Sequence, residues 1–219
     1  RGGSHAGFIT AIKSTHDDDG PIPMWVADMD FPSPQPIVEA LAARAQHGLY
    51  GYTIATDGYY DAVINWFDRR HNWQISKDWI TMAPGIVPAI HFAVLTYCRP
   101  GDKVLIQRPV YYPFFRSITN GDCEIVSSAL INNEGHYEMD FDDLEAKAAD
   151  PAVKLAILCS PHNPVGRVWR EDELRRYGEI CNRHNVIVIA DEVHCDLMMP
   201  GQTFAPYALL GEEFAQNTL

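Results

Sequence analysis

The chain has 219 residues, 47% of them hydrophobic, and a formal net charge of −12. That length and apolar content suit one large globular α/β domain or somewhat more, and the acidic balance, without basic patches, excludes a nucleic-acid partner. The absence of a long apolar run or a charged-then-apolar leader points away from a membrane span and from secretion, and five scattered cysteines without a C-x-x-C pair read as buried reduced thiols in a cytoplasmic protein.

Residues 1–20 are polar and aperiodic, and Pro23 to Pro32 compress an apolar run and two acids into a fixed loop. Ser33 before Pro34 predicts an N-cap and first helical residue; Ile37, Leu41 and Ala45 supply the helical stripe, and Gly48 the stop. After the aromatic turn Tyr50-Gly-Tyr52, the spacing of Tyr60, Val63, Ile64 and Phe67 predicts a second amphipathic helix to about His71, packed on a sheet. A short strand is expected over Trp79–Met82, turning through Pro84-Gly85 into a buried helix over Val87–Tyr97. Strands at Lys103–Gln107 and Cys123–Ala129 flank a helix over Tyr112–Ile118. Asp140 caps a further helix to Ala149.

Two apolar runs, Ala156–Cys159 and Val186–Ala190, end abruptly in polar residues and enclose a helix from Arg170 to His184. The acids Glu171, Asp172 and Glu173 begin that helix and Arg183 and His184 end it, the order that suits the helix dipole. Strands alternating with helices at this spacing predict an α/β fold: a mainly parallel sheet with helices on both faces, its strand ends presenting Asn163 and Asp191 at one rim. The chain reaches Leu219 in an expected loop.

Taken singly, the candidate residues are ambiguous. The Gly85 turn offers N–H groups to a phosphate or merely reverses the chain, Asn163 presents an amide or makes a turn, and Asp191 meets a cation or water. Asp191, Glu192, His194 and Asp196 are potential metal ligands, but alternation along an extended strand divides them between two faces. No G-x-S-x-G elbow supports serine chemistry. Together with the aromatic Tyr111, the helix N-terminus, amide and carboxylate describe a pocket for a planar, phosphorylated, cationic heterocycle such as pyridoxal phosphate.

Ser160-Pro-His-Asn-Pro-Val-Gly166, Asp191-Glu-Val-His194, Ala83-Pro-Gly85 and Pro109-Val-Tyr-Tyr112 resemble the motifs of fold-type I pyridoxal-phosphate enzymes, aminotransferase class I/II. Met24-Trp-Val-Ala-Asp-Met-Asp-Phe31, Tyr50-Gly-Tyr52 and His194 resemble its cystathionine β-lyase-like C–S lyase branch. The resemblance implies that Asp191 pairs with the protonated pyridine nitrogen, that Asn163 donates to the phenolic oxygen with His194 beside it, and that Tyr111 stacks on the ring. It further implies phosphate contacts from the Ile86 and Val87 amides and from Tyr52 of a neighbouring subunit, hence a homodimer. The implied reaction on a sulfur-containing amino acid removes the α-proton and expels a thiolate from the β-carbon, giving pyruvate, ammonia and a thiol.

The Schiff-base lysine of such enzymes is expected beyond Leu219, since Lys13, Lys77, Lys103, Lys147 and Lys154 match no Ser-x-Lys context. The expected organisation is an N-terminal segment over 1–33, an incomplete pyridoxal-phosphate-binding large domain over 34–219, and a C-terminal small domain that this chain lacks. The chain alone is therefore expected to be inactive; an aminotransferase or a non-catalytic binding form are the alternatives.

Overall fold

The computed structural model describes residues 31–219. The motif at residues 24–30 lies outside them. The chain divides between Ile54 and Ala55 into two compact units. In the first, helix α1 (Gln35–His47) begins one residue later than expected: Pro34, not Ser33, is the N-cap, and no side chain caps the helix. The proline's fixed φ already sets the entry to the helix, and Gly48 ends it as anticipated.

The second unit is built on a sheet of four parallel strands, β1 (Lys103–Arg108), β2 (Glu124–Ala129), β5 (Val153–Cys159) and β6 (Ile187–Asp191), in the order β2-β1-β5-β6. Because both faces of a parallel sheet are covered, successive strand residues enter different cores. Val104, Ile106, Leu155, Ile157, Cys159 and Ile189 pack with Ile90 and Val94 of helix α3 (Ile86–Tyr97) and with Phe114 and Ile118 of helix α4 (Pro113–Thr119). Leu105, Ala156, Leu158 and Val188 face the other way. They meet Leu144 of helix α5 (Phe141–Ala148) and Leu174 and Tyr177 of helix α6 (Glu171–Arg183). Helices on both faces are thus found.

Gly178 shows how closely α6 is approached from outside. A Cβ there would lie 2.5 Å from the Phe214 ring and 2.6 Å from the Tyr207 hydroxyl, so only glycine lets the segment carrying helix α7 (Glu212–Ala215) settle on it. Beyond α7, the Val188 N–H donates to the Asn217 carbonyl and the Leu219 N–H to the Val188 carbonyl, both at 3.0 Å. The last three residues therefore run parallel beside β6, where a loop was expected.

Three further expectations change. Residues 77–79 form a 3-10 turn and Ile80–Met82 pair with no strand among the described residues, because an apolar run becomes a strand only beside a neighbour. The polar stretch after Leu130 holds an unexpected antiparallel hairpin of β3 (Ile131–Asn133) and β4 (His136–Glu138), turned at Glu134 and Gly135 with φ of 52° and 95°. Helix α2 (Asp57–His71) forms where predicted, but it docks on the segment after β6 and not on the sheet.

Candidate cofactor site

Strand order decides where a crevice opens. From β1 the chain moves outward to β2, whereas β5 returns to the other side of β1 and continues to β6. The loops after β1 and β5 therefore leave in opposite directions, the place where open α/β sheets bind ligands at the C-terminal ends of their strands. Tyr111 follows β1, Asn163 follows β5, and Asp191 ends β6.

Cys159 joins two of these residues. It is the ladder partner of Asp191, the Ser160 N–H donates to the Asp191 carbonyl at 3.0 Å, and the Cys159 sulfur accepts the Asn163 N–H at 3.4 Å. Burial pushes the Cys159 thiol up to about 12, so it stays protonated as a packing and hydrogen-bonding group. His162 joins the third: its imidazole lies 2.9 Å from the Pro109 carbonyl, two residues before Tyr111. The carbonyl can only accept, so Nε2 carries the proton, and burial lowers the group to about 4 and keeps it neutral. Its Nδ1 is buried without a partner among the described residues. Tyr111 itself stands edge-on to Phe114, with ring centroids 5.7 Å apart.

Asp191 is 6% exposed, and its carboxylate accepts from the Val193 N–H at 3.2 Å. Burial raises its pKa, with that hydrogen bond opposing. A carboxylate so placed has lone pairs left for a cation, which would restore its charge. Helix α3 brings the opposite sign. Its 12 residues span roughly 18 Å, enough to run back from the start of β1 to the C-terminal edge of the sheet. Gly85 offers no side-chain cap, the first helical bond comes from Ala89, and Pro88 has no N–H. Ile86 and Val87 are therefore left with N–H groups free for an anion.

His194 follows in a turn and, with Asn163, lines a cavity of about 570 Å³ that His162, Arg167, Leu197 and Met199 also border. Asp191, Tyr111, Ile86 and Val87 do not line it. Tyr52 belongs to the first unit and is wholly exposed.

The four potential ligands noted in the sequence part company. Asp191 turns to Val193, Glu192 accepts the Tyr207 N–H at 2.8 Å, and Asp196 accepts from Trp66 and His71. Burial pushes Glu192 up to about 8. Sequence reasoning had weighed Glu192 only as a metal ligand and had assigned no role to Cys159, to His162 or to Arg167, whose guanidinium donates to both Glu173 oxygens at 2.9 Å. An acid directly after a buried strand was a signal for Glu192; the others had none.

Residues 22–217 match the family aminotransferase class I and II, and the chain belongs to it. It is 45% identical over 194 residues to cystathionine β-lyase PatB of Bacillus subtilis, covering 89% of this chain and 50% of that protein. It is 32% identical to protein MalY of Escherichia coli, covering 85% and 48%. Cystalysin of Treponema denticola, whose crystal structure contains pyridoxal 5′-phosphate, superposes with a TM-score of 0.90 at 38% identity over 99% of this chain and 55% of that one. The pyridoxal-phosphate-bound C–S lyase of Staphylococcus hominis gives 0.82 at 39% identity, covering 85% and 48%. The fold is that of the fold-type I large domain, and the chain spans about half the length of the relatives it matches.

Proposed function

We propose that this chain is the ring-gripping part of a pyridoxal-phosphate-dependent carbon–sulfur β-lyase acting on cystathionine- or cysteine-type amino acids. The observation that carries the reading is Asp191, a buried carboxylate at the end of β6 whose ladder partner, Cys159, also accepts the Asn163 N–H. The donor set fits the cofactor in kind: an acceptor for a protonated ring nitrogen, an amide for a phenolic oxygen, an aromatic face, and two free helix N–H groups for a phosphate. Bound there, pyridoxal phosphate supplies an electron sink for the carbanion left when the α-proton departs.

The protein's part is to bind and orient. Asp191 holds the proton on the ring nitrogen, Asn163 and His194 serve the phenolic oxygen, Tyr111 covers one face, and Ile86 and Val87 take the phosphate. The lysine that bonds the cofactor and carries the proton belongs to a segment beyond this chain. A homodimer in which Tyr52 reaches the partner's phosphate is part of the proposal, supported by the full exposure of that ring. So is a cytoplasmic location, supported by five unpaired cysteines.

The test is turnover by the full-length protein. Release of pyruvate and a thiol from cystathionine or cystine without an added oxo acid is expected. Strict dependence on an oxo-acid acceptor would replace the lyase reading with an aminotransferase.

A further inference from the structure

Helix α2 poses a question that the cofactor site does not answer. None of its residues is fully buried and it covers neither face of the sheet, yet one of its surfaces converges on a single side chain. Trp66 Nε1 donates to one Asp196 oxygen at 2.9 Å, His71 Nε2 reaches the other at 2.9 Å, and the Arg70 guanidinium stands 3.7 Å away. Trp66 and Arg70 stand one turn apart on one helix face, and His71, the last residue of the helix, reaches the same carboxylate. The His71 side chain is 7% exposed and packs between Phe67, 5.7 Å away, and Phe204, 5.4 Å away. It is thereby held with its proton toward Asp196.

Asp196 lies two residues beyond His194 in a turn with little support of its own. Val193, Leu197 and Met199 are 56%, 64% and 74% exposed, and the turn closes on itself by the Cys195 N–H to Glu192 and the Leu197 N–H to His194 carbonyl bonds, both 2.9 Å. Exposed turns of this kind open readily unless something outside them holds them. We propose that Asp196 is a positioning residue: by taking hold of α2 it fixes the turn and so sets where the His194 imidazole stands beside Asn163.

Cys195, His71 and Asp196 also bring their ligand atoms within 4.8 Å of one another, as a metal site would. The wiring speaks for hydrogen bonding, since both Asp196 oxygens already accept an N–H and the Arg70 cation stands next to them. The docking of α2 follows from the geometry alone; its consequence for the cofactor rests on the proposed function.

The experiment compares wild type, Asp196→Ala, Asp196→Asn and the milder Trp66→Phe in the full-length protein. It reads hydrogen exchange over residues 192–199 in the apoprotein, and pyridoxal-phosphate affinity with the visible circular dichroism of the bound cofactor. Losing two hydrogen bonds to a charged acceptor is expected to speed exchange of that segment about tenfold or more and to weaken cofactor binding about tenfold. Exchange over β1 and β5 should stay unchanged. Asp196→Asn, which still accepts one N–H, should recover part of both effects, and Trp66→Phe should give a smaller change of the same kind. Unchanged exchange in Asp196→Ala overturns the docking. Faster exchange with unaltered affinity and dichroism overturns the positioning role. A wild type that binds no pyridoxal phosphate sinks the proposed function and the link to the cofactor with it, while exchange still decides the docking.

Discussion

The loops after β5 and β6 present neighbouring groups to one edge of the sheet but are held in contrasting ways. The loop after β5 is closed by its own backbone and pinned to its immediate neighbours: the His162 N–H bonds the Arg167 carbonyl at 2.7 Å, the Gly166 N–H bonds the His162 carbonyl at 2.8 Å, and Arg167 is clamped by Glu173 of the helix that follows. Glu173 also accepts the Arg170 N–H at 2.9 Å, so one carboxylate ties the loop to the start of α6. The loop after β6 is held from outside, through Glu192 to Tyr207 and through Asp196 to α2. A group that must stand still can sit on a loop closed by its own backbone and tied to the helix that follows it. One supported by distant segments inherits their motions as well.

That contrast can be broken at several points. The largest effect is expected for Asp191→Ala in the full-length protein: if the proposed lyase activity holds, a loss of roughly 100- to 1000-fold in pyruvate release, as when a preorganised charge is removed from an active site; normal turnover would refute its role. Glu173→Ala attacks the loop after β5 through its clamp on α6. The Arg167 and Glu173 side chains are 12% and 7% exposed, and removing one partner of such a pair costs about 3–5 kcal/mol, measurable by urea unfolding. A loss below about 1 kcal/mol would mean that the clamp does not hold the loop.

The two loops should also differ in pH response. The Glu192 carboxyl, pushed up to about 8 from an ordinary 4.5, keeps its proton in the folded state where the unfolded chain has lost it, so stability falls as pH rises from 4.5 through 8. Glu192→Gln should flatten that slope, by about 3 kcal/mol after allowing for the water that reaches a half-buried residue. His162 has the opposite sign. Held at about 4 against an ordinary 6.5, it contributes stability present above 6.5 and lost as pH falls through 4. His162→Gln, which keeps a donor for Pro109, should remove an acid sensitivity of about 2 kcal/mol. Unfolding curves at pH 4, 6.5 and 8 check both; equal slopes in wild type and variants would show that these groups are not the source.

What could be read from the sequence follows the same division. The runs at residues 156–159 and 186–190 were legible because a strand buried on both faces must be apolar throughout, and the polar residues that end them mark the rim. The charge order of α6 and the Asp140 cap, which accepts the Asp143 N–H at 3.0 Å, were local and were read correctly. The α2 periodicity announced a helix but could not show that Trp66, Arg70 and His71, outside the apolar stripe, meet Asp196, which lies 130 residues from Trp66. Ile80–Met82 had the composition of a strand without the neighbour that makes one. The β3–β4 hairpin hid among polar residues because strands of three residues carry almost no alternation. Asn163, Asp191 and Tyr111 were legible as residues at or just beyond strand ends. The groups that arrange them, Cys159 and His162, work through backbone contacts that leave no pattern in the sequence.

The short pairing of Asn217–Leu219 with β6 has a consequence for solubility. A parallel sheet ending at β6 would expose the unpaired N–H and carbonyl groups of an apolar strand, a template on which a second molecule can add. Residues Asn217 and Leu219 occupy those groups at Val188 and Ala190. In the full-length protein Leu219→Pro, which removes the bond to the Val188 carbonyl, should loosen the pairing that covers this edge, and self-association should then appear in light scattering well before any loss of helix.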